Sequence, residues 1–249
     1  MAHRSFARTD HRPWPLPERP WIGQQRWLDL LFAHWPIPVS TLRPLVPPSL
    51  QIQEFRGSSW VGVVPFRMSG VTARLLPSIP GLSAFPELNL RLYVERDGKP
   101  GVWFLSLDAT KRIAVWGARR FFHLPYYLAN IQIERQADSF HYVASRPDTL
   151  RDQIFRADYR PSSPPFEAAR GSLEEFLTER YCLYSQDDRG RMYRVDVHHL
   201  PWPLQEATGY VDPGYLLTAH GLTVTGAPHL LFSAGVDVAV WNLERLARG

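Results

Sequence analysis

Two stretches of this chain carry the side chains that could do chemistry. The first is Glu87-Leu88-Asn89-Leu90-Arg91-Leu92-Tyr93-Val94. In a strand, successive side chains alternate, so Leu88, Leu90, Leu92 and Val94 share one face and Glu87, Asn89, Arg91 and Tyr93 the other. An acid, an amide, an arginine and a tyrosine on one face can together recognise a carboxylate or carbonyl compound. Two arrangements give this pattern. One is a strand with its polar face in water, the commoner case in antiparallel sheets; the other turns that face into the lumen of a small barrel.

The second stretch runs Ala118-Arg119-Arg120-Phe121-Phe122-His123-Leu124-Pro125-Tyr126-Tyr127-Leu128-Ala129. Two arginines, a histidine and two tyrosines crowd a bend fixed by Pro125. Arg119 and Arg120 stand near the end of an expected helix, where the macrodipole favours cations. Beside a pocket, the same guanidinium offers a planar fork to a carboxylate. His123 can titrate near neutrality and serve as acid or base, although a hydrogen-bonded structural histidine is the commoner case. Tyr126 and Tyr127 point to opposite sides of an extended chain, so at most one faces a pocket.

Other candidates rank behind these. Asp108 reads first as the cap of the helix that follows it, and second as a pocket residue. His198 and His199 are neighbours on a strand and diverge, so they cannot share a metal. His198 shares a face with Arg194 and Asp196 and is a second-rank pocket candidate. Glu179-Arg180 reads as a local salt bridge. Cys182, the only cysteine, reads as a buried inert thiol. No metal-ligand spacing, phosphate loop, dinucleotide fingerprint or Gly-x-Ser-x-Gly elbow is present, so neither metal nor cofactor is expected.

These residues are carried mainly on strands. Trp27, Leu30, Leu31 and Trp35 form a stripe that predicts a helix from Gln24 to Trp35, closed by Pro36. Ser40 caps a short second helix to Leu45. Strands follow at Ser59–Phe66, at Leu88–Val94 and Val102–Leu107 around the Asp97-Gly98 hairpin signal, and at Tyr127–Arg135, Phe140–Arg146 and Gln153–Tyr159. Thr110–Phe121 reads as a helix. Ser172-Leu173-Glu174-Glu175 is a capping box opening a helix to about Arg180. Tyr181–Ser185 pairs with Met192–His199. Val211–His220 is ambiguous, Leu230–Trp241 is strand or helix, and Asn242–Arg248 is helical or frayed. Many short strands with few helices give an α+β domain around a curved or closed antiparallel sheet. Residues 1–20, rich in arginine and proline, read as an arm pinned by Trp14 or Trp21, and residues 21–249 as one domain.

Composition narrows the functional classes. The 249 residues are 45% hydrophobic and 21% charged, ordinary for a globular protein. No apolar run approaches the ~20 residues needed to span a bilayer, and the start lacks the apolar core of a secretory signal. One cysteine precludes an internal disulfide and fits a reducing cytoplasm. The net charge is +4, and all 28 basic residues but Lys99 and Lys111 are arginines scattered along the chain. Nucleic acid, which needs a one-sided basic face, is not an expected partner.

Several motifs resemble the YqjF-like family of uncharacterised bacterial proteins. They are Phe32-Ala33-His34-Trp35-Pro36, Val64-Pro65-Phe66-Arg67-Met68, Phe85-Pro86-Glu87-Leu88-Asn89, Ser106-Leu107-Asp108-Ala109, Leu124-Pro125-Tyr126-Tyr127, Glu179-Arg180-Tyr181-Cys182-Leu183-Tyr184 and His199-Leu200-Pro201-Trp202-Pro203-Leu204. A wider resemblance is to acetoacetate decarboxylases, whose active-site segment reads roughly Gly-Arg-Glu-x-Trp-Gly-Phe-Pro-Lys-Lys-x-Ala. It implies a cone-like antiparallel β-barrel with a central cavity and a few short flanking helices, and often self-association, so a homo-oligomer is an expected state. By that resemblance Glu87 matches the family's acid and Arg119 its arginine. Tyr126 stands where the imine-forming lysine would be, and Tyr127 where its partner would be. A phenol cannot condense with a ketone. Lys99, in a turn, and Lys111, in the first turn of a helix, are poor substitutes.

The expected site therefore has Glu87, Arg119, His123 and Tyr126 as catalytic groups and Asn89, Arg91, Tyr127, Asp108 and His198 as ligand-binding groups. The expected function is a pocket for a small carbonyl or carboxylate compound, with lyase or isomerase chemistry that forms no imine. The alternative is a non-catalytic small-ligand binder that lost the decarboxylase nucleophile.

Overall fold

The computed structural model describes residues 3–74, 83–150 and 153–247. Its strands are β1 (Gly23–Ile37), β2 (Gln51–Ile52), β3 (Ser59–Ala73), β4 (Phe85–Arg96), β5 (Lys99–Ala109), β6 (Tyr126–Leu128), β7 (Asn130–Gln136), β8 (Ser139–Ser145), β9 (Phe155–Pro161), β10 (Cys182–Gln186), β11 (Met192–His198), β12 (Leu204–Asp212), β13 (His229–Val240) and β14 (Glu244–Arg245). Four short α-helices interrupt them: α1 (Val39–Leu42), α2 (Arg112–Phe122), α3 (Leu173–Thr178) and α4 (Tyr215–Thr218). The fold is α+β and mostly sheet. No helix among the described residues is long and apolar enough to cross a membrane.

One sheet runs β14-β11-β10-β5-β4-β3-β1-β13-β12-β9-β8-β7. It is mixed, not purely antiparallel: β5 pairs parallel with both β6 and β10. A further pairing of β11 with β13, Val197 opposite Val240 and His198 opposite Ala239, returns the path to itself. Two apolar layers fill the strands' two sides. Leu88, Leu90, Leu92 and Val94 of β4 pack into one, and Leu107 and Tyr126 into the other.

The segment from Gln24 to Trp35 is strand, not helix. Leu31, Ala33, Trp35 and Ile37 enter one apolar layer and Leu30 and Phe32 the other. Both faces are covered, so polar alternation is lost. The helix-like step from Trp27 to Leu30 has a local cause. Asp29 has φ +53°, and β1 takes one residue more between Leu28 and Ala33 than β3 takes between Arg67 and Val63. This bulge reverses the side-chain phase and puts Trp27 on the side of Leu30 and Phe32. Arg67 closes over the bulge through an ion pair with Asp29.

Other boundaries moved for similar local reasons. Pro38, not Ser40, precedes α1. Lys111, not Asp108, occupies the cap position of α2. Asp108 belongs to β5. Ser172 caps α3 as expected, its Oγ accepting from the Glu175 amide at 3.2 Å. Val211–His220 divides between β12 and α4, and Leu230–Trp241 resolves to β13. Beyond it only Glu244 and Arg245 pair, against β11; Arg248 lies outside the described residues.

Chain preceding β1 lies against β11. Trp14 Nε1 donates to Asp196 Oδ1 at 3.2 Å, Arg12 Nη1 donates to Val197 O at 2.6 Å, and Trp241 Nε1 donates to Arg19 O at 2.8 Å. Trp14 is thus one anchor, and Arg12 is the stronger one that composition did not suggest. Met1 and Ala2 of the expected arm lie outside the described residues.

Gly235 sits opposite the bulged segment with φ +136°, and an added Cβ would lie 2.1 Å from Trp27 O. Gly117 of α2 faces open space. Thermal unfolding should therefore show Gly235→Ala destabilised by about 2 kcal/mol or more. Gly117→Ala should be stabilised by about 0.5–1 kcal/mol through helix propensity.

Candidate functional site

A cavity of about 300 Å³ lies between the strands and the inner face of α2. Strand β4 supplies Glu87, Asn89 and Arg91 to its wall, β6 supplies Tyr126, and α2 supplies Ala114, Ala118 and Phe122. The polar face of β4 is therefore turned inward, and the pattern that also fitted a solvated strand face here lines a chamber. Glu87 is 2% exposed, Asn89 5% and Arg91 9%.

Glu87 and Tyr126 form the centre. Tyr126 Oη donates to Glu87 Oε2 at 2.8 Å. Burial raises the Glu87 pKa to about 8; hydrogen bonds from Tyr126 and Asn89 oppose the shift, and the charge of Asp108 adds to it. Burial also holds the Tyr126 phenol well above its ordinary value, reinforced by Glu87. Near neutral pH the centre thus has a carboxyl able to exchange a proton beside a phenol that keeps its own. Asn89 Oδ1 is buried without a hydrogen-bond partner.

Two arginines bring positive charge to the cavity wall. Arg91 Nε donates to Tyr93 Oη at 3.1 Å and Nη2 to Leu177 O at 2.8 Å. Arg180 donates from Nε to Phe176 O at 2.8 Å and from Nη1 to Gln53 Oε1 at 2.6 Å. Every one of these acceptors is neutral, and burial lowers the Arg180 pKa to about 10. The expected Glu179–Arg180 salt bridge does not form. Glu179 instead accepts from Tyr181 Oη and from the Trp202 amide.

The remaining expected residues lie elsewhere. Arg119 is exposed; its Nε donates to Tyr126 O, and its guanidinium stands 5.3 Å from the Tyr127 ring. It touches the backbone of Tyr126 and does not line the cavity. His123 ends α2 in the left-handed region at φ +52°, its ring 5.0 Å from that of Tyr193. Tyr127 turns from Tyr126 as alternation requires, and Arg146 stacks 3.8 Å from its ring centroid. Asp108 is fully buried and grips Arg146 through both oxygens at 2.7–3.1 Å, while Tyr215 Oη donates to it. That arrangement is an ion-paired tie between strands, neither a helix cap nor a wall of the cavity. His198 lies under the N-terminal segment. Its Nε2 donates to Ser5 O at 2.9 Å, and burial lowers its pKa to about 4.

Sequence reasoning missed Arg180, His199, Trp27 and Trp202, all of which line the cavity. The divergence of His198 and His199 was legible, but which one faced inward was not. Burial lowers the His199 pKa to about 4, so at neutral pH it presents an uncharged ring. Neither lysine lines the cavity. Cys182 does, but burial raises its thiol to about 12 and leaves it unreactive.

The model of the DUF2071 family, described as an uncharacterised conserved protein, matches residues 24–237. The chain is 46% identical over 231 residues to the uncharacterised protein YqjF of Bacillus subtilis (strain 168), covering 92% of this chain and 95% of that one. Among solved structures, the acetoacetate decarboxylase of Legionella pneumophila superposes with TM-score 0.65 at 14% identity, covering 96% and 93% of the two chains. The enduracididine biosynthesis enzyme MppR, complexed with the condensation product of pyruvate and imidazole 4-carboxaldehyde, gives TM-score 0.66 at 13% identity and covers 92% and 90%. An acetoacetate decarboxylase-like enzyme from Sphingomonas wittichii RW1 gives TM-score 0.63 at 14% identity and covers 97% and 99%. At these identities the likeness establishes the fold.

Glu87 and Asp108 should respond oppositely to neutralisation. Folding raises the Glu87 pKa from 4.5 to about 8, so between those values the native state holds a proton that the unfolded state has released. Stability therefore falls as pH rises through this window, with a slope approaching about 1.4 kcal/mol per pH unit, and Glu87→Gln removes that component. Chemical denaturation at a series of pH values checks this. Asp108→Ala leaves Arg146 unpaired and should cost about 3–5 kcal/mol at neutral pH.

Proposed function

The chain belongs to the DUF2071 family, and we propose that it is a proton-transfer enzyme, of lyase or isomerase type, acting on a carbonyl compound that carries a carboxylate. The observation that carries this reading is the Glu87–Tyr126 hydrogen bond at 2.8 Å inside the cavity. As carboxylate, Glu87 removes a proton from the carbon next to the substrate carbonyl. The electron pair moves to the carbonyl oxygen, where the Tyr126 phenol donates its hydrogen bond in place of the one it gives Glu87. Glu87, now protonated, returns the proton at another carbon or to a departing group. Its pKa of about 8 suits both directions near neutrality.

Arg91 and Arg180, having only neutral acceptors, supply the charge for the substrate's carboxylate. His199 and Trp202 shape the wall without adding charge. Arg119 acts by holding the backbone of Tyr126. We read the returning sheet as a closed cone-like barrel with the cavity as its lumen, a reading supported by the β11–β13 pairing. MppR, which shares the fold, is complexed with a condensation product of pyruvate, in keeping with a keto acid as the substrate class here. Imine chemistry is not part of the proposal, because Tyr126 occupies the segment where the resemblance puts the lysine.

The test is exchange of α-protons of straight-chain keto acids of four to ten carbons into D2O, followed by proton NMR. Tyr126→Phe and Glu87→Gln should each slow exchange by about 100-fold or more. Full activity in Tyr126→Phe removes the oxyanion role. Tight binding with no exchange or turnover would make the protein a binder and not an enzyme. Borohydride treatment with acetoacetate should leave the chain unmodified; an adduct on Lys111 would restore imine chemistry.

A further inference from the structure

The polar groups of the cavity are strung along β4 instead of gathered at one point. Phe85, Glu87, Asn89 and Arg91 share one face of the strand, and all four line the cavity. At ~3.3 Å per residue this row extends about 20 Å. Lining residues that follow one another along the strand make the cavity elongated, suited to a chain extended along β4.

The channel has distinct ends. At one end Phe85 pairs with Met68 of β3, and both are apolar. Next comes the Glu87–Tyr126 pair. Asn89 follows, hydrogen-bonded to Glu87 with Oδ1 lacking any partner. At the far end Arg91 turns toward Tyr93 and Leu177, away from Glu87, and Arg180 stands beside it with neutral acceptors only. A carboxylate held at Arg91 therefore lies well beyond the reach of a group that Glu87 and Tyr126 act on, if both belong to a molecule as short as a four-carbon acid.

We infer that the cavity takes a straight-chain carboxylic acid extended along β4. Its carboxylate meets Arg91 and Arg180, a mid-chain hydroxyl or similar donor meets Asn89 Oδ1, and its tail passes Glu87 into the apolar end. This rests on the reading of the cavity as a substrate site and specifies the length and polarity of what enters it.

Isothermal titration with butyrate, hexanoate, octanoate, decanoate and 5-hydroxydecanoate tests the inference on the full chain. The hydroxyl of the last stands about one strand repeat from its carboxylate. Affinity should rise at least about tenfold from butyrate to decanoate as methylenes leave water. The hydroxyl should add a further several-fold, of the order expected for filling a buried unpaired acceptor. Arg91→Gln should weaken every acid by about tenfold or more, and Asn89→Leu should erase the hydroxyl preference while leaving decanoate bound. Circular dichroism of the variants checks folding. If a variant is unfolded, the chain-length series on the unaltered protein decides alone. Equal affinity for butyrate and decanoate, or no binding by any acid of the series, overturns the inference. Glu87-dependent exchange of four-carbon keto acids with no gain from length would refute it and leave the proposed function standing. Tight binding of long acids without exchange by their keto analogues would do the reverse.

Discussion

The burial of β4 on both faces is the constraint from which the rest follows. One face, Leu88 to Val94, packs into an apolar layer, which any strand in a two-layer protein can do. The other carries Glu87, Asn89 and Arg91 out of water as well. Desolvating an acid and a guanidinium is costly unless each finds partners. Glu87 meets that cost by becoming harder to ionise and by accepting from Tyr126. Arg91 meets it with carbonyl and phenol oxygens. Neither is neutralised by an opposite charge across the cavity, so the chamber keeps its electrostatic asymmetry without collapsing into an ion pair.

That asymmetry contrasts with the pairing a short distance away. Asp108, on the neighbouring strand β5, is equally buried, but Arg146 donates to both of its oxygens from Nε and Nη2, and the Tyr215 hydroxyl adds a third donor. The two carboxylates differ in consequence. Asp108 is saturated and fixes strand to strand. Glu87 has one phenolic donor and an amide, and retains the capacity to gain and lose a proton. Residue type did not separate them; the number and charge of partners did.

Much of this is legible in the sequence. The alternation in β4, the two hairpins, the helix before the Pro125 bend and the divergence of Tyr126 from Tyr127 follow from period and turn chemistry. What failed did so where a long-range partner decides. Arg119 sits in the right segment but on the outer side of the bend, because the backbone of Tyr126 claims its Nε. Asp108 looked like a cap because Arg146, its true partner, lies on a distant part of the chain. Arg180 looked paired to its neighbour, yet the intervening backbone turns Glu179 toward Trp202. Strand β1 imitates a helical stripe because apolar residues on both of its faces are joined by a bulge.

The bulge also ties together two things that are distant in the sheet. Residues before Asp29 set Gln25 and Trp27 against the chamber, and residues after it set Leu30 and Phe32 on the same side. The extra residue works as a parity switch within one strand. Excising it would send the Trp27 indole into the opposite layer and open the chamber's wall, while every residue after it kept its place. Changes in chain length at this point should therefore be accommodated in even steps, and single insertions or deletions should register first as a loss of the chamber and only second as a loss of the fold.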